Sequence, residues 1–177
     1  MAVRSFPVNA LRWSAMPEPS QGSPPSARFS IRAGLPGDEG ALFDLVKALA
    51  RYEQLEHAVT GSALALRAHL FGDHPSAEAL LAEDDSGAAI GFALFFSTYS
   101  TFLTRPGIYL EDLFVRESHR RRGVGRALLS EVRRIAEARG AGRLEWTVLD
   151  WNASAIAFYR SFGAEVLPDW RLCRVLL

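Results

Sequence analysis

The chain has 177 residues and a hydrophobic fraction of 49%, which suits one domain with a single core. Its 20 basic and 20 acidic residues cancel, so the overall charge gives no reason to expect nucleic acid or an anionic membrane as partner. The lone cysteine, Cys173, excludes an internal disulfide and a cysteine-based zinc site. The longest apolar stretch, residues 88–96, is too short to span a bilayer. We therefore expect a cytoplasmic protein.

Residues 1–27 are predicted to form a flexible N-terminal extension. The segment 17–26 (PEPSQGSPPS) is rich in Pro, Ser and Gly and cannot bury enough apolar surface to order itself. A cleaved targeting peptide is the alternative, since Arg4 and Arg12 fall in a stretch with few acids. The folded domain is predicted over residues 28–177.

The first half of this domain alternates strands and helices. Residues 29–32 read as a strand, and apolar residues at helical spacing predict a helix over 41–50, opened by Asp38. A second helix is predicted over 62–71 with Ser62 as its N-cap. Strands follow at 77–82 and 88–98, and the Asp-Asp-Ser-Gly sequence at 84–87 predicts a hairpin turn between them.

The second half continues with a strand at 109–115 (YLEDLFV), an arginine- and glycine-rich loop and a helix at 125–139. A strand at 144–149 leads to a helix that Asn152 opens and Gly163 ends. A final strand pair is predicted at 164–167 and 170–177. This order predicts an α/β fold in which helices flank one central mixed sheet.

The loop between strand and helix, RRRGVG at 120–125, is the first candidate binding site. Glycines at alternate positions leave the backbone N–H groups uncovered by side chains, and a helix N-terminus adds about half a positive charge. An anion such as a pyrophosphate would suit this cradle. A dinucleotide fingerprint would need glycine at Leu128, and a P-loop would need Gly-Lys-Ser/Thr. A solvated turn or a nucleic-acid patch over 116–134 remains open from this loop alone.

Two motifs in order resemble the GNAT acetyltransferase superfamily. Arg120-x-x-Gly123-x-Gly125, between a strand and an amphipathic helix, resembles its acetyl-CoA motif. Asn152-Ala153-Ser154-Ala155, followed by Phe158-Tyr159 and Phe162-Gly163, resembles its second CoA-contacting helix. The resemblance implies a mixed sheet of about seven strands with four helices, and transfer of acetyl from acetyl-CoA to an amine.

Further segments resemble the diamine acetyltransferase branch, which includes spermidine/spermine and thialysine enzymes. These are residues 49–53 (LARYE), 109–112 (YLED), 151–152 (WN) and 170–172 (WRL). In polyamine-preferring members an aspartate follows the Thr-Tyr pair of the third strand, whereas here Thr98-Tyr99 precedes Ser100. We therefore expect a small amino acid or diamine as substrate, with polyamines second.

The resemblance implies two catalytic residues. Glu111 would remove the amine proton, directly or through a water, and Tyr159 would protonate the leaving CoA thiolate. Strand alternation places Leu110 and Asp112 on one side of the strand and Glu111 on the other. We expect Glu111 to be partly desolvated, which raises a carboxyl pKa, and Asp112 to be structural.

The resemblance also implies the binding residues. The predicted acetyl-CoA contacts are Leu113, Phe114, Val115, Arg120, Arg121, Arg122, Gly123, Val124, Gly125, Arg126, Asn152, Ala155 and Tyr159. The predicted amine contacts are Tyr52, Glu53, Glu111, Trp146, Thr147 and Trp170. No metal is expected, because the four histidines form no ligand spacing, and a homodimer is expected. A protein or peptide acetyltransferase, or a non-catalytic CoA-binding sensor, is the alternative.

Overall fold

The computed structural model describes residues 29–176, which form five strands and four helices. In chain order these are β1 (Phe29–Ala33), α1 (Glu39–Tyr52), α2 (Ala63–Phe71), β2 (Glu78–Asp84), β3 (Ala89–Ser100), β4 (Arg105–Val115), α3 (Val124–Ala138), β5 (Leu144–Glu145) and α4 (Ala153–Ser161). The extension predicted at residues 1–27 lies outside the described residues. No helix within 29–176 is both long and apolar enough to cross a membrane.

The strands form one mixed sheet in the order β1-β2-β3-β4-β5. The first four are antiparallel, and β5 runs parallel to β4. β5 pairs with β4 only at Ile108↔Leu144 and Tyr109↔Glu145. From residue 110 to 115 the edge of β4 that faces away from β3 therefore has no strand partner in the described chain, and it opens a cleft.

Each face of the sheet is covered by helices because the helices carry apolar stripes. On one face, Leu128 and Val132 of α3 pack against Phe95 and Leu110. On the other face, Leu42 of α1 and its neighbours pack against a second cluster from the sheet. The buried members of that cluster are Leu45, Leu70, Ala79, Leu81, Phe92 and Phe114. The end of α1 and the start of α3 thus approach β4 from opposite faces.

A β-bulge in β4 changes which side chains share a face. Leu94 of β3 lies opposite Asp112, and its neighbour Phe95 lies opposite Leu110, so Glu111 has no partner. Leu110 therefore packs on the α3 side, while Phe114 packs on the α1 side. Asp112 shares the face of Phe114. The prediction that Leu110 and Asp112 share a face is wrong, because the extra residue reverses the alternation.

Local signals in the first part of the chain are confirmed. The hydroxyl of Ser62 accepts a hydrogen bond from the N–H of Ala65 at 3.1 Å, as expected of an N-cap. The predicted hairpin turn joins β2 and β3, with Gly87 at φ +80°. Asp38 is the N-cap residue of α1, as predicted, but its carboxylate makes no cap hydrogen bond and instead accepts from Arg32 and from the N–H of Leu35.

The sheet is smaller than predicted. A mixed sheet with four helices is confirmed, but it has five strands within residues 29–176 and not about seven. The strand predicted at 144–149 shortens to two residues, and 164–176 contains no strand. The apolar side chains of this last segment, such as Leu172 and Val175, are exposed. The apolar composition of this segment predicts a strand, but no surface of the described chain covers its side chains.

Candidate active site

The start of α3 is shaped to receive an anion. Arg121 at φ +59° and Gly123 at φ +86° turn the chain sharply into the helix. Within residues 29–176, no acceptor engages the backbone N–H groups of 121–126. A Cβ at Gly123 would meet no atom within 4 Å, so the space beside this backbone is open. Free N–H groups and the helix dipole converge there, so the loop is suited to an anion such as a pyrophosphate.

The start of α4 lies against the end of α1. The side chain of Asn152 is buried and its Oδ1 accepts from the N–H of Ala155 at 3.1 Å, which confirms the predicted N-cap. The same oxygen accepts from the hydroxyls of Ser154 at 3.1 Å and Tyr52 at 3.3 Å. Asn152 therefore ties the second CoA-type motif to the end of α1.

Tyr52 connects three segments around the cleft. Its hydroxyl reaches Asn152, and its ring lies 5.9 Å from the ring of Trp151, centroid to centroid. The guanidinium of Arg120 lies 4.3 Å from the centre of the Tyr52 ring, and Arg120 Nε donates to the carbonyl of Val115 at 3.0 Å. A cation over an aromatic face is attracted by its quadrupole. The end of α1, the loop before α3 and the start of α4 thus meet at one side chain.

Tyr159 is partly buried on α4 beside aromatic rings. Its ring lies 5.0 Å from the ring of Trp146 and 5.3 Å from that of Phe158. Burial, followed by the charges of Glu53 and Asp112, raises the pKa of Tyr159 to about 12. The phenol therefore keeps its proton at neutral pH and can donate it.

Two carboxyl groups lie within electrostatic reach of Tyr159. Burial, then the charges of Glu111 and Glu53, raises the pKa of Asp112 to about 7. Burial also raises the pKa of Glu53, which follows α1. Glu111 is exposed, so the expected partial desolvation of this side chain is wrong. Because of the bulge, the buried carboxyl group is that of Asp112, whereas the sequence predicts a structural role for this residue.

The sequence comparisons agree with this geometry. Residues 43–164 match the profile of the Acetyltransferase (GNAT) family. The chain belongs to this family. It is an acyltransferase that uses acetyl-CoA.

Relatives of this GNAT acetyltransferase act on small amines. It is 36% identical over 146 residues to a thialysine N-epsilon-acetyltransferase of Bos taurus, covering 78% of this chain and 85% of that protein. It is 52% identical over 85 residues to the L-ornithine N5-acetyltransferase NATA1 of Arabidopsis thaliana, covering 48% of this chain but 37% of that protein. A V. cholerae integron cassette protein shares the fold with a TM-score of 0.70 at 25% identity, over 84% of this chain and 92% of that one.

The GNAT acetyltransferase brings together many of the predicted site residues. Leu113 and Val115 are partly buried beside the open edge of β4, whereas the Phe114 side chain is buried in the α1-side core. Thr147 is exposed and 3.3 Å from the Tyr109 hydroxyl. Trp170 is 71% exposed, and no ring contact within residues 29–176 joins it to the site. The prediction for Trp170 therefore finds no support in this chain alone.

A pocket beside the site has no signal in the sequence. A surface pocket of about 740 Å³ lies between the end of α1 and the segment after β4. Its lining includes Arg51, Arg116 and Arg120 together with Tyr52 and Phe114. No sequence signal separates Arg51 and Arg116 from the chain's many other arginines, because their meeting depends on how α1 crosses β4.

Proposed function

We propose that this acetyltransferase transfers the acetyl group of acetyl-CoA to a primary amine of a small molecule, a thialysine-like amino acid or a diamine. The observation that carries the proposal is the pair of carboxyl groups, Glu53 and Asp112, beside a neutral phenol, Tyr159, at the cleft that the two CoA-type motifs border. Negatively charged carboxylates attract an ammonium group, and a protonated phenol can donate a proton to the leaving thiolate. The similarity to thialysine and ornithine acetyltransferases supports the substrate class.

Acetyl-CoA supplies the activated acyl group as a thioester. The backbone N–H groups of 121–126 would hold its pyrophosphate, with the side chains of Arg121, Arg122 and Arg126 adding charge-assisted bonds. The unpaired edge of β4 at Leu113 and Val115 would bind the pantetheine amides. The remaining residues proposed to contact acetyl-CoA are Phe114, Arg120, Gly123, Val124, Gly125, Asn152, Ala155 and Tyr159.

The amine must lose a proton before or during attack, because an alkyl ammonium has a pKa near 10.4. Asp112 is the carboxyl group whose pKa of about 7 suits a base at neutral pH. Glu53 adds negative charge that attracts the ammonium. Glu111, predicted from the sequence as the base, is the competing assignment; its exposed carboxylate would act through solvent. The amine attacks directly in a ternary complex.

Tyr159 completes the proton transfers. Its hydroxyl donates a proton to the departing sulfur, and its raised pKa keeps that proton available. Trp146 packs against the phenol ring and holds its orientation. We also propose that two copies of the chain pair in solution.

Thiol release from acetyl-CoA tests the function against thialysine, lysine, ornithine, putrescine, spermidine and short peptides. We expect release with one or more small amines. Release with peptides alone would replace the small-amine assignment with a protein acetyltransferase. Silence across the panel, with acetyl-CoA still raising the melting temperature, would indicate a CoA-binding sensor.

A further inference from the structure

We infer that the arginine-lined pocket beside the site binds the carboxylate of the acceptor, so that the enzyme prefers a diamino acid over a simple diamine. This inference rests on the proposed transfer to a small amine and specifies its substrate class. The pocket of about 740 Å³ lies between α1 and the end of β4. Its lining carries three arginines and one glutamate, Glu117, which is exposed and therefore screened by solvent.

Two of the arginines are held by hydrogen bonds from Nε, which leaves their terminal guanidinium N–H groups available as donors. Arg116 Nε donates to the carbonyl of Ala89 at 3.0 Å, and Arg120 Nε donates to that of Val115 at 3.0 Å. Among the described residues, the hydrogen bonds of these two side chains run through Nε alone, and the Arg120 guanidinium lies over the face of Tyr52. Arg51 pairs with Glu56 at 3.2 Å through its Nε. Guanidinium donors held by Nε match the bidentate geometry of a carboxylate.

The pocket continues into the acidic site along two elements. Tyr52 lines the pocket, and the next residue, Glu53, belongs to the acidic pair. Phe114 also lines the pocket and shares its face of β4 with Asp112. Asp112 and Arg116 are four residues apart, about 13 Å along extended chain. An extended diamino acid with its amine at Asp112 directs its carboxylate toward this pocket, where the Arg116 side chain can meet it.

The charges along this path have opposite signs at its two ends. Carboxyl groups at one end suit the reacting amine, and arginines at the other suit an anionic group. A diamine or polyamine would place a second ammonium near the arginines, which is unfavourable. A diamino acid satisfies both ends. The enzyme would therefore select a substrate that carries a carboxylate, and the length of the carbon chain alone would not decide the preference.

The test compares pairs of amines that differ only in the carboxylate: ornithine with putrescine, and lysine with cadaverine. Steady-state thiol release is measured for the wild type and Arg116→Gln, with Arg134→Gln at an exposed position of α3 as a matched control that should leave every KM unchanged. Arg134 pairs with Glu131 there and does not line the pocket. Arg120 is left unchanged because it also belongs to the proposed acetyl-CoA loop.

We expect Arg116→Gln to raise the KM for ornithine and lysine about ten-fold, the effect of one lost charge-assisted bond. The KM for putrescine and cadaverine should change less than two-fold, and Arg116→Lys should recover part of the loss. Equal increases for both members of a pair, or no increase for the amino acid, would overturn the inference.

Failure of the proposed function has a different signature, since it removes turnover with every amine. In that case calorimetric titration of ornithine and putrescine into the protein with CoA decides the inference separately. Ornithine binding that Arg116→Gln weakens would support the carboxylate pocket. Equal binding of both amines, or binding of neither, would reject it.

Discussion

Two adjacent carboxyl groups on β4, those of Glu111 and Asp112, are candidates for the base, and they differ in their exposure to solvent. Asp112 faces the α1 side with its pKa raised to about 7, whereas Glu111 is exposed at the bulge. We predict that Asp112→Asn lowers kcat/KM about 100-fold, in the range of general-base catalysis, and that Glu111→Gln changes it only a few-fold. Because the base acts when ionised, kcat/KM in the wild type should fall as the pH drops below about 7. The reverse ranking of the two variants would return the role to Glu111.

The same burial makes Asp112 a source of instability at high pH. Its folded-state pKa of about 7 exceeds the ordinary value of 3.8. The contribution of this carboxyl group to the free energy of unfolding is therefore fully present below pH about 4 and is lost as the pH rises through 7. We predict that Asp112→Asn raises the free energy of unfolding by about 2–4 kcal/mol at pH 8 and by about half that at pH 5.5. Urea unfolding measures both, with Glu165→Gln at an exposed side chain as a control that should change stability by less than about 0.5 kcal/mol.

The role of the Tyr159 hydroxyl can be tested alone, because replacing Tyr by Phe removes only that group. Tyr159→Phe keeps the ring against Trp146 and Phe158 but removes the proton donor. We predict a fall in kcat of about 100-fold or more, with little change in acetyl-CoA affinity. Stopped-flow or steady-state thiol release gives kcat, and calorimetry gives affinity. A variant with wild-type kcat would show that the thiolate takes its proton from elsewhere.

At the scale of elements, the turn into α3 depends on one glycine. Gly123 has φ +86° and open space around its Cα, so a methyl group there meets no atom and adds only backbone strain. We predict that Gly123→Ala lowers stability by about 1–2 kcal/mol and weakens acetyl-CoA binding, because the loop relaxes away from its anion-binding shape. Gly40→Ala in α1, which also meets no atom and has no positive φ, should leave binding unchanged. Unchanged binding in both variants would remove the loop from the proposed cofactor site.

How far the sequence predicts each element depends on whether its signal is local. Ser62, Asn152 and Gly87 act on their own turns, and their predicted roles are confirmed. The bulge at Glu111 is not local, because it depends on the register of β3 against β4. Alternation along YLEDLFV therefore predicts the wrong face for Asp112. Two acids in an apolar strand could have raised the possibility of a bulge.

Across the whole molecule, the proposed site depends on one sheet with helices on both faces. β4 presents Asp112 to α1 and an open edge to α4, while the loop after it turns back over Tyr52. No single motif in the sequence contains this arrangement. The family motifs indicate the proposed cofactor segments, whereas the grouping of Arg51 and Arg116 depends on how α1 lies against β4.

The last segment of the chain bears on the assembly. Trp170, Leu172, Val175 and Leu176 are each at least 70% exposed, and large apolar side chains exposed together in one segment are typical of an interaction site. Because the open side of the sheet ends at the two-residue strand β5, a second copy could extend the sheet and cover this segment. We predict a dimer at micromolar concentration in sedimentation velocity.

A charged substitution within this segment tests whether it forms the interface. Val175→Asp should shift the protein to monomer because a buried, unpaired carboxylate is costly. Leu64→Asp, at a side chain 76% exposed on α2, should leave the dimer intact and serves as the matched control. A wild type that sediments as a monomer would contradict the prediction outright. A dimer that survives Val175→Asp would move the interface to another surface, and the predicted amine contact of Trp170 could then be tested within a single copy.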